Sequence, residues 1–398
     1  EPFNAQSVRF SIERYLDPKT GFPALGYIGS IEKVEIVDEY TINIVTKFPD
    51  GLLINRLAGF ILIVPPRYIA AHGADALHKH PVGTGAFRFE RWVKGDRIVL
   101  SANPGYWLAG HPKVDGLVFR FIPTGQQVDH LLKGDVDIVT ELPGTRTTEV
   151  MASRDNAVIK RESLYAMMGS LNASQGPLKD KRVRQAVNHA IDREKIILYD
   201  VFGNGRNIAS PTMSGEEGYD PDLKSYAYDP RKARELLKEA GYAGGVKLAV
   251  LVKEQGIRTG QIVKKQLQDV GIDMDIHLSK DAQGVQDIAS RQWDVYIGGC
   301  PDPMVHNFFV KSIFFYGKSP YVISKDAIFD AALEDMAMTL DSGQRIAKAR
   351  SIDKRLQDEA LGIFMYQRIK TYGVNKKVHF VPSVTGMSYF FRATKEAR

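Results

Sequence analysis

Apolar and polar positions alternate in several short stretches of the first third of the chain. Val34–Ile36 and Tyr40–Thr46 alternate around Asp38-Glu39, and Phe87–Trp92 and Arg97–Ser101 repeat the pattern around Lys94-Gly95-Asp96. A period of two puts every second side chain on one face, so each pair reads as two strands joined by a turn. Leu117–Ile122 and Val136–Val139 read as further strands, the second following Gly134. Helices are predicted over Ser7–Tyr15, ended by Asp17-Pro18, and over Val128–Leu132.

From Asp180 the period lengthens. Val183, Ala186, Val187, Ala190 and Ile191 form a helical stripe behind an Asp180 cap. Asp229-Pro230 opens a second helix, with Ala233, Leu236, Leu237 and Ala240 on one face and Gly241 as its stop. Val246–Val252, Thr259–Asp269 and Ile272–Leu278 then read as strand, helix and strand. Such a unit requires a parallel strand pair with a right-handed crossover. Asp294–Ile297 reads as one more buried strand, and helices follow at about Ser324–Thr339 and Ser342–Ala360. Ile363–Tyr366 and Thr371–Val374 are strand-like, and the tail Val378–Phe391 has β character. The fold class is α/β, with mixed sheets and flanking helices. A β-rich first part, an α/β part and a β return imply that the first domain is discontinuous and the α/β part is inserted into it.

Composition narrows the function classes. The 398 residues are enough for two or three domains, and 44% apolar with 25% charged residues is globular rather than disordered. The apolar run Gly59–Val64 before Pro65-Pro66 is too short to span a bilayer. No charged-then-apolar leader opens the chain, so an export signal is expected to have been removed or to lie upstream. The net charge of +6 comes from scattered Lys and Arg without a run of five. A nucleic-acid surface needs clustered basic residues interleaved with aromatics, so no nucleic-acid partner is expected. The single cysteine, Cys300, excludes an internal disulfide and any zinc site built from several cysteines.

Four groups carry candidate chemistry. Gly83-Thr84-Gly85 lacks the Lys-Ser/Thr of a phosphate loop and opens a strand, so it reads as a tight turn. His72, His78 and His80 crowd one segment, but only Asp75 stands near, and a solvated helix end is the simpler reading. Asp135 and Asp137 would project to one side of a strand, as a pair for acid–base work does, or serve the turn. Cys300 with His306 six residues on has the elements of a thiol nucleophile, without an orienting third group. A hydrolase using Cys300 or the Asp135/Asp137 pair is therefore the competing class, and neither a cofactor nor a metal is expected.

Six motifs occur in order: "NAQSVRFSIERYLDP", "HPVGTGAFRFERW", "NPGYW", "GDVDIV", "LKDKRVRQAVNHAIDREKI" and "YDPRKARELLKEAGY". With them the chain resembles the peptide, nickel and opine class of extracellular solute-binding proteins that serve ABC importers, solute-binding family 5. The resemblance implies a periplasmic two-lobed clamp that closes about a hinge on a small solute, performs no covalent chemistry, and hands the solute to a permease and its ATPase. Lobe I would comprise residues 1–168 plus 369–398, with a β-hairpin subdomain, and lobe II residues 169–368. The crossings would fall near Met167–Leu171 and Gln367–Lys370. Family members carry a further segment ahead of the one that opens here at Glu1-Pro2-Phe3-Asn4-Ala5. Lobe I is therefore expected to be N-terminally incomplete, and its unpaired edge to favour self-association.

The same resemblance suggests the ligand contacts. Dipeptide-binding members hold the ligand ammonium with an aspartate three residues after a tryptophan, where a lobe II strand ends. Here "WDVYIGGCPDP" puts Asp302 at that offset, with Gly299 in place of the tryptophan. Their carboxylate-binding arginine follows the strand matching Val246–Val252, where this chain has Lys253 and Glu254, with Arg258 later. A short peptide or peptide-like compound is the expected ligand, contacted by Asp302, Gly299, Cys300, His306, Lys253 and Arg258. A nickel chelate or an opine is the alternative, with His306 as its local hint. As a turn residue alone, Asp302 would tolerate asparagine.

Overall fold

The computed structural model describes residues 1–280, 283–290 and 292–396. Its centre is a seven-stranded mixed sheet built around two long antiparallel strands, Asn156–Leu171 and Gly362–Asn375. On one side of this pair, Val295–Pro301 runs antiparallel to Asn156–Leu171. Val246–Lys253 and Ile272–Ser279 then continue the sheet in parallel. On the other side, Ile138–Val139 and Gly205–Asn207 pair with different parts of Gly362–Asn375. The predicted strand–helix–strand unit is present, with its helix at Ile257–Gln268. The runs "LAVLV" and "VYIGGC" are nearly continuous in apolar or small residues because these strands are covered on both faces.

Helix ends follow local chemistry. The Asp180 carboxylate accepts from Arg182 N at 2.8 Å and opens Lys181–His189, whose Val183, Ala186 and Val187 are buried. Asp229 accepts from Arg231 N and Lys232 N ahead of Pro230–Glu239. Gly241 then takes φ 90°, a conformation that ends the helix at little cost only for glycine. Ala233, Leu236 and Leu237 pack with Val250, Val263 and Ile297 in one core. A second core on the opposite sheet face gathers Tyr296, Phe314, Phe329 and Phe364.

Ile31–Ile36 and Ile42–Thr46 form the first predicted hairpin, and Phe87–Val93, Arg97–Ala102 and Gly116–Arg120 a three-stranded sheet. The N-terminal helices reach the second core. Gly51 N donates to Ala337 O at 2.8 Å, Asn55 Nδ2 to Met304 O at 3.0 Å, and Tyr27 Oη lies 2.8 Å from Ser312 Oγ. Two elements differ from expectation. Ile363–Tyr366 and Thr371–Val374 belong to one strand, continued through two register shifts that absorb the polar Gln367–Lys370 stretch. The tail is mostly irregular: only Val378–His379 and Thr394–Lys395 pair, and Pro382 with the turn at Gly386 breaks the ladder between them. Helices at Leu53–Phe60, Pro66–His72, Arg193–Val201 and Phe308–Phe315 go beyond the sequence reading, as does the full length of Asn156–Leu171. Among the described residues no helix is long and apolar enough to cross a membrane.

Candidate functional site

The strand Val295–Pro301 ends in a tight constellation. Gly298 and Gly299 carry no side chain, and two neighbours use the space. A Cβ on Gly298 would lie 3.3 Å from Lys253 Cδ, so the lysine stem crosses the strand there. A Cβ on Gly299 would overlap the phenol of Tyr165, which stands opposite Pro301 on the adjoining strand. Tyr165 thus fills the volume that a large side chain at 299 would take. Lys253 is half-buried, its ammonium 5.2 Å from the Tyr321 ring centre. An ammonium on an aromatic face is equipped to take an anionic group.

Beyond the strand the chain turns sharply at Asp302. Its carboxylate is fully buried and accepts from Met304 N and His306 N, each at 2.7 Å. Between them Val305 adopts φ 53°, a left-handed conformation that strains a β-branched residue. The two hydrogen bonds hold this strained turn. Both Asp302 oxygens act as acceptors, a pattern that an asparagine amide cannot reproduce. Asp302 also contacts Glu216, whose Oε2 accepts from Met213 N at 2.5 Å. Burial raises both carboxyls above their usual range.

Cys300 and His306 lie in the same constellation, but both are inward. Burial pushes the Cys300 thiol up to about 12, so at neutral pH it is protonated and a poor nucleophile. His306 is 1% exposed; its Nδ1 accepts from Phe308 N at 3.1 Å. Burial lowers its pKa to about 4, leaving a neutral imidazole whose Nε2 lies 3.7 Å from Glu217 Oε1. Glu217 is clamped by Arg345 at 2.7 and 3.1 Å. Deeper still, Lys311 Nζ pairs with Asp353 at 3.0 Å and donates to Asn307 Oδ1 at 2.8 Å. This polar layer was not foreseen from sequence. Its members come from three separate segments, around 217, 306–311 and 345–353, and nothing in their spacing marks them.

Arg258 stands apart from Lys253 and Gly299. Its guanidinium lies 4.8 Å from the Phe202 ring centre, and it lines a surface cavity of about 500 Å³ with Lys195, Tyr199 and Tyr228. The Asp135/Asp137 pair is divided between partners: Asp135 Oδ2 lies 2.9 Å from His130 Nδ1, and Asp137 Oδ2 2.9 Å from Lys395 Nζ. His72 packs on Tyr68 and His80 on Phe89. Among the described residues no three His, Cys, Asp or Glu side chains converge as metal ligands do.

Residues 1–319 match the family model described as bacterial extracellular solute-binding proteins, family 5 Middle. The glutathione-binding protein GsiB of Pectobacterium atrosepticum is 28% identical over 295 residues, covering 73% of this chain and 57% of that protein. The chain thus spans about half the length of the glutathione-binding relatives it matches. The di/tripeptide-binding protein 2 of Pseudomonas aeruginosa is 28% identical over 379 residues, covering 87% of this chain and 70% of that one. The structure of the oligopeptide-binding protein AppA of Bacillus subtilis superposes with a TM-score of 0.81 at 20% identity, over all of this chain and 84% of the other. The fold is that of the two-lobed periplasmic binding proteins. With four fifths of its length matched to the family model, the chain belongs to the bacterial extracellular solute-binding proteins of family 5.

Proposed function

We infer that this chain is the solute-capturing component of an ABC importer. It binds a short peptide or peptide-like compound, is exported to the cell envelope, and delivers its ligand to a permease and its ATPase. The observation that carries the ligand class is Lys253: a half-buried ammonium on an aromatic ring, its stem laid across Gly298, suits a ligand carboxylate. The names of its relatives, which bind glutathione and di- or tripeptides, agree with that chemistry. In this reading lobe I comprises residues 1–168 plus 369–398 and lobe II residues 169–368. The contacts of Tyr27, Gly51 and Asn55 with residues 304–337 then lie across the closed cleft. Tyr165 shapes the wall next to the ligand, and Asp302 holds the turn behind it.

A thermal-shift screen tests this with glutathione, di- and tripeptides, an opine and nickel–histidine. A ligand that binds only the folded state raises the melting temperature by linkage. Peptides with a free carboxylate should stabilise and their amidated forms should not. No shift with any carboxylate-bearing peptide would refute the peptide reading. A shift with nickel–histidine alone would replace it.

A further inference from the structure

The buried face behind the Asp302 turn holds two acids in contact and no base of their own. Glu216 is 6% exposed and Asp302 is 0% exposed. Three of their four oxygens accept backbone N–H groups: Glu216 Oε2 from Met213, and the two Asp302 oxygens from Met304 and His306. The fourth, Glu216 Oε1, is buried without a hydrogen-bond donor. Two carboxylates cannot satisfy each other, and an orphaned buried acceptor is costly. A proton on that oxygen removes both difficulties at once, because it turns the orphan into a donor available to the neighbouring Asp302.

We propose that Glu216 is a protonated carboxylic acid at neutral pH, donating from Oε1 to Asp302, and that it is the positioning residue for the Asp302–His306 turn. The surroundings agree from every side. Asp302 faces it from the strand end. Lys311 faces it from the helix Phe308–Phe315, but that ammonium is already paired with Asp353 at 3.0 Å. Cys300 beside the pair holds its proton, and the Tyr27 hydroxyl near Asp302 is pushed up to about 12, so neither adds charge. Burial raises Glu216 well above the ordinary carboxyl range, with the bond to Asp302 as the next cause. Burial raises Asp302 as well, as it does for any buried acid that faces a second one.

Two consequences follow. The pair carries one negative charge, so the turn at φ 53° is held without two buried anions repelling each other. The site behind the ligand wall also loses this lock as pH rises and the shared proton leaves. The proton assignment stands on the two carboxyls themselves. Only its bearing on the ligand rests on the solute-binding reading, so the decisive measurements use ligand-free protein.

Infrared difference spectroscopy of wild type against Glu216→Gln at neutral pH should show one protonated-carboxyl C=O band, present only in wild type. Glutamine keeps both a donor toward Asp302 and an acceptor for Met213 N. The second readout is stability against pH. A folded state that keeps a proton which the unfolded chain releases loses stability as pH rises above the ordinary carboxyl range. The wild-type unfolding constant should therefore climb about tenfold per pH unit relative to Glu216→Gln, until the pair itself ionises. Absence of the band, or parallel pH profiles, would overturn the proposal. Loss of the band in Asp302→Asn but not in Glu216→Gln would also overturn it, by placing the proton on the other acid. Should Glu216→Gln fail to fold, wild type labelled with carboxyl-13C glutamate decides: a protonated band at neutral pH that shifts on labelling supports the assignment, and a band that is absent or does not shift refutes it.

Discussion

Replacing Gly299 with alanine adds one methyl group where there is no room. The new Cβ would overlap Oη and Cζ of Tyr165 and lie 2.7 Å from Cε1, where ordinary contact begins at 3.4 Å. The backbone there is fixed, because Gly299 pairs with Met167 inside the sheet. The tyrosine ring must therefore move. Tyr165 is partly exposed and can swing outward, which limits the penalty but gives up its stacking with Arg368, whose Cζ lies 5.9 Å from the ring centre. Overpacking costs about 1–3 kcal/mol and a lost cation–π contact about 0.5–1 kcal/mol. Against this, glycine to alanine in a strand gains roughly 0.5–1 kcal/mol. The net loss should be about 2 kcal/mol. A double-mutant cycle isolates the cause. With Tyr165→Ala in the background, Gly299→Ala should be neutral or mildly stabilising, giving a coupling of about 2 kcal/mol. Urea unfolding of the four proteins measures it. Additivity within about 0.5 kcal/mol, the range found for independent sites, would refute the claim that Tyr165 occupies the space at 299.

Four further outcomes are expected. Asp302→Asn leaves either Met304 N or His306 N facing an amide donor, so it should cost about 1.5–3 kcal/mol of stability without added ligand; a melting temperature equal to wild type would show that the turn does not need the charge. The His306 imidazole has its pKa lowered to about 4 from 6.5, so the unfolded chain binds more protons between these values. Stability should be full above about pH 6.5 and fall as pH drops toward 4, and His306→Gln should flatten that part of the profile. Cys300 should resist a thiol reagent at neutral pH until denaturant is added; fast labelling of the folded protein would contradict its burial. Lys253→Met should weaken a carboxylate-bearing peptide about ten- to a hundredfold in calorimetry while leaving its amidated analogue unchanged.

Much of this architecture was legible because its causes are local. The Asp180 and Asp229 caps, the stripes behind them and the Val246–Ser279 unit each sit within one short window. Asn156–Leu171 was harder to see, since "IKRES" interrupts its apolar run and only pairing with Gly362–Asn375 makes it a strand. The tail misled because Phe380 and Phe390 look like strand residues, yet they stack on each other at 5.2 Å in a satellite cluster. At the site, the turn after Val295–Pro301 and the lysine that ends Val246–Lys253 were visible as sequence offsets. The fate of Asp302 was not, because Glu216 comes from a loop 86 positions earlier and the strain at Val305 is a tertiary result. Arg258 looked equivalent to Lys253, but the start of the helix Ile257–Gln268 carries it onto Phe202 instead.

The long ladder between Asn156–Leu171 and Gly362–Asn375 is interrupted twice, at Phe364/Tyr366 and at Gln367/Ile369. Such irregularities work as indexing teeth. To slide one strand along the other by a single residue would reverse every side chain's face and drive both offsets past each other. Translation along the ribbon is therefore blocked. Bulges also increase local twist and bend the strand that carries them, so rotation is the freedom that remains. In mechanical terms such a ribbon is stiff to sliding and softer to torsion about its axis, and at its irregular stretch the two strands are tied by Gln367 Nε2 donating to Ser163 O at 3.1 Å.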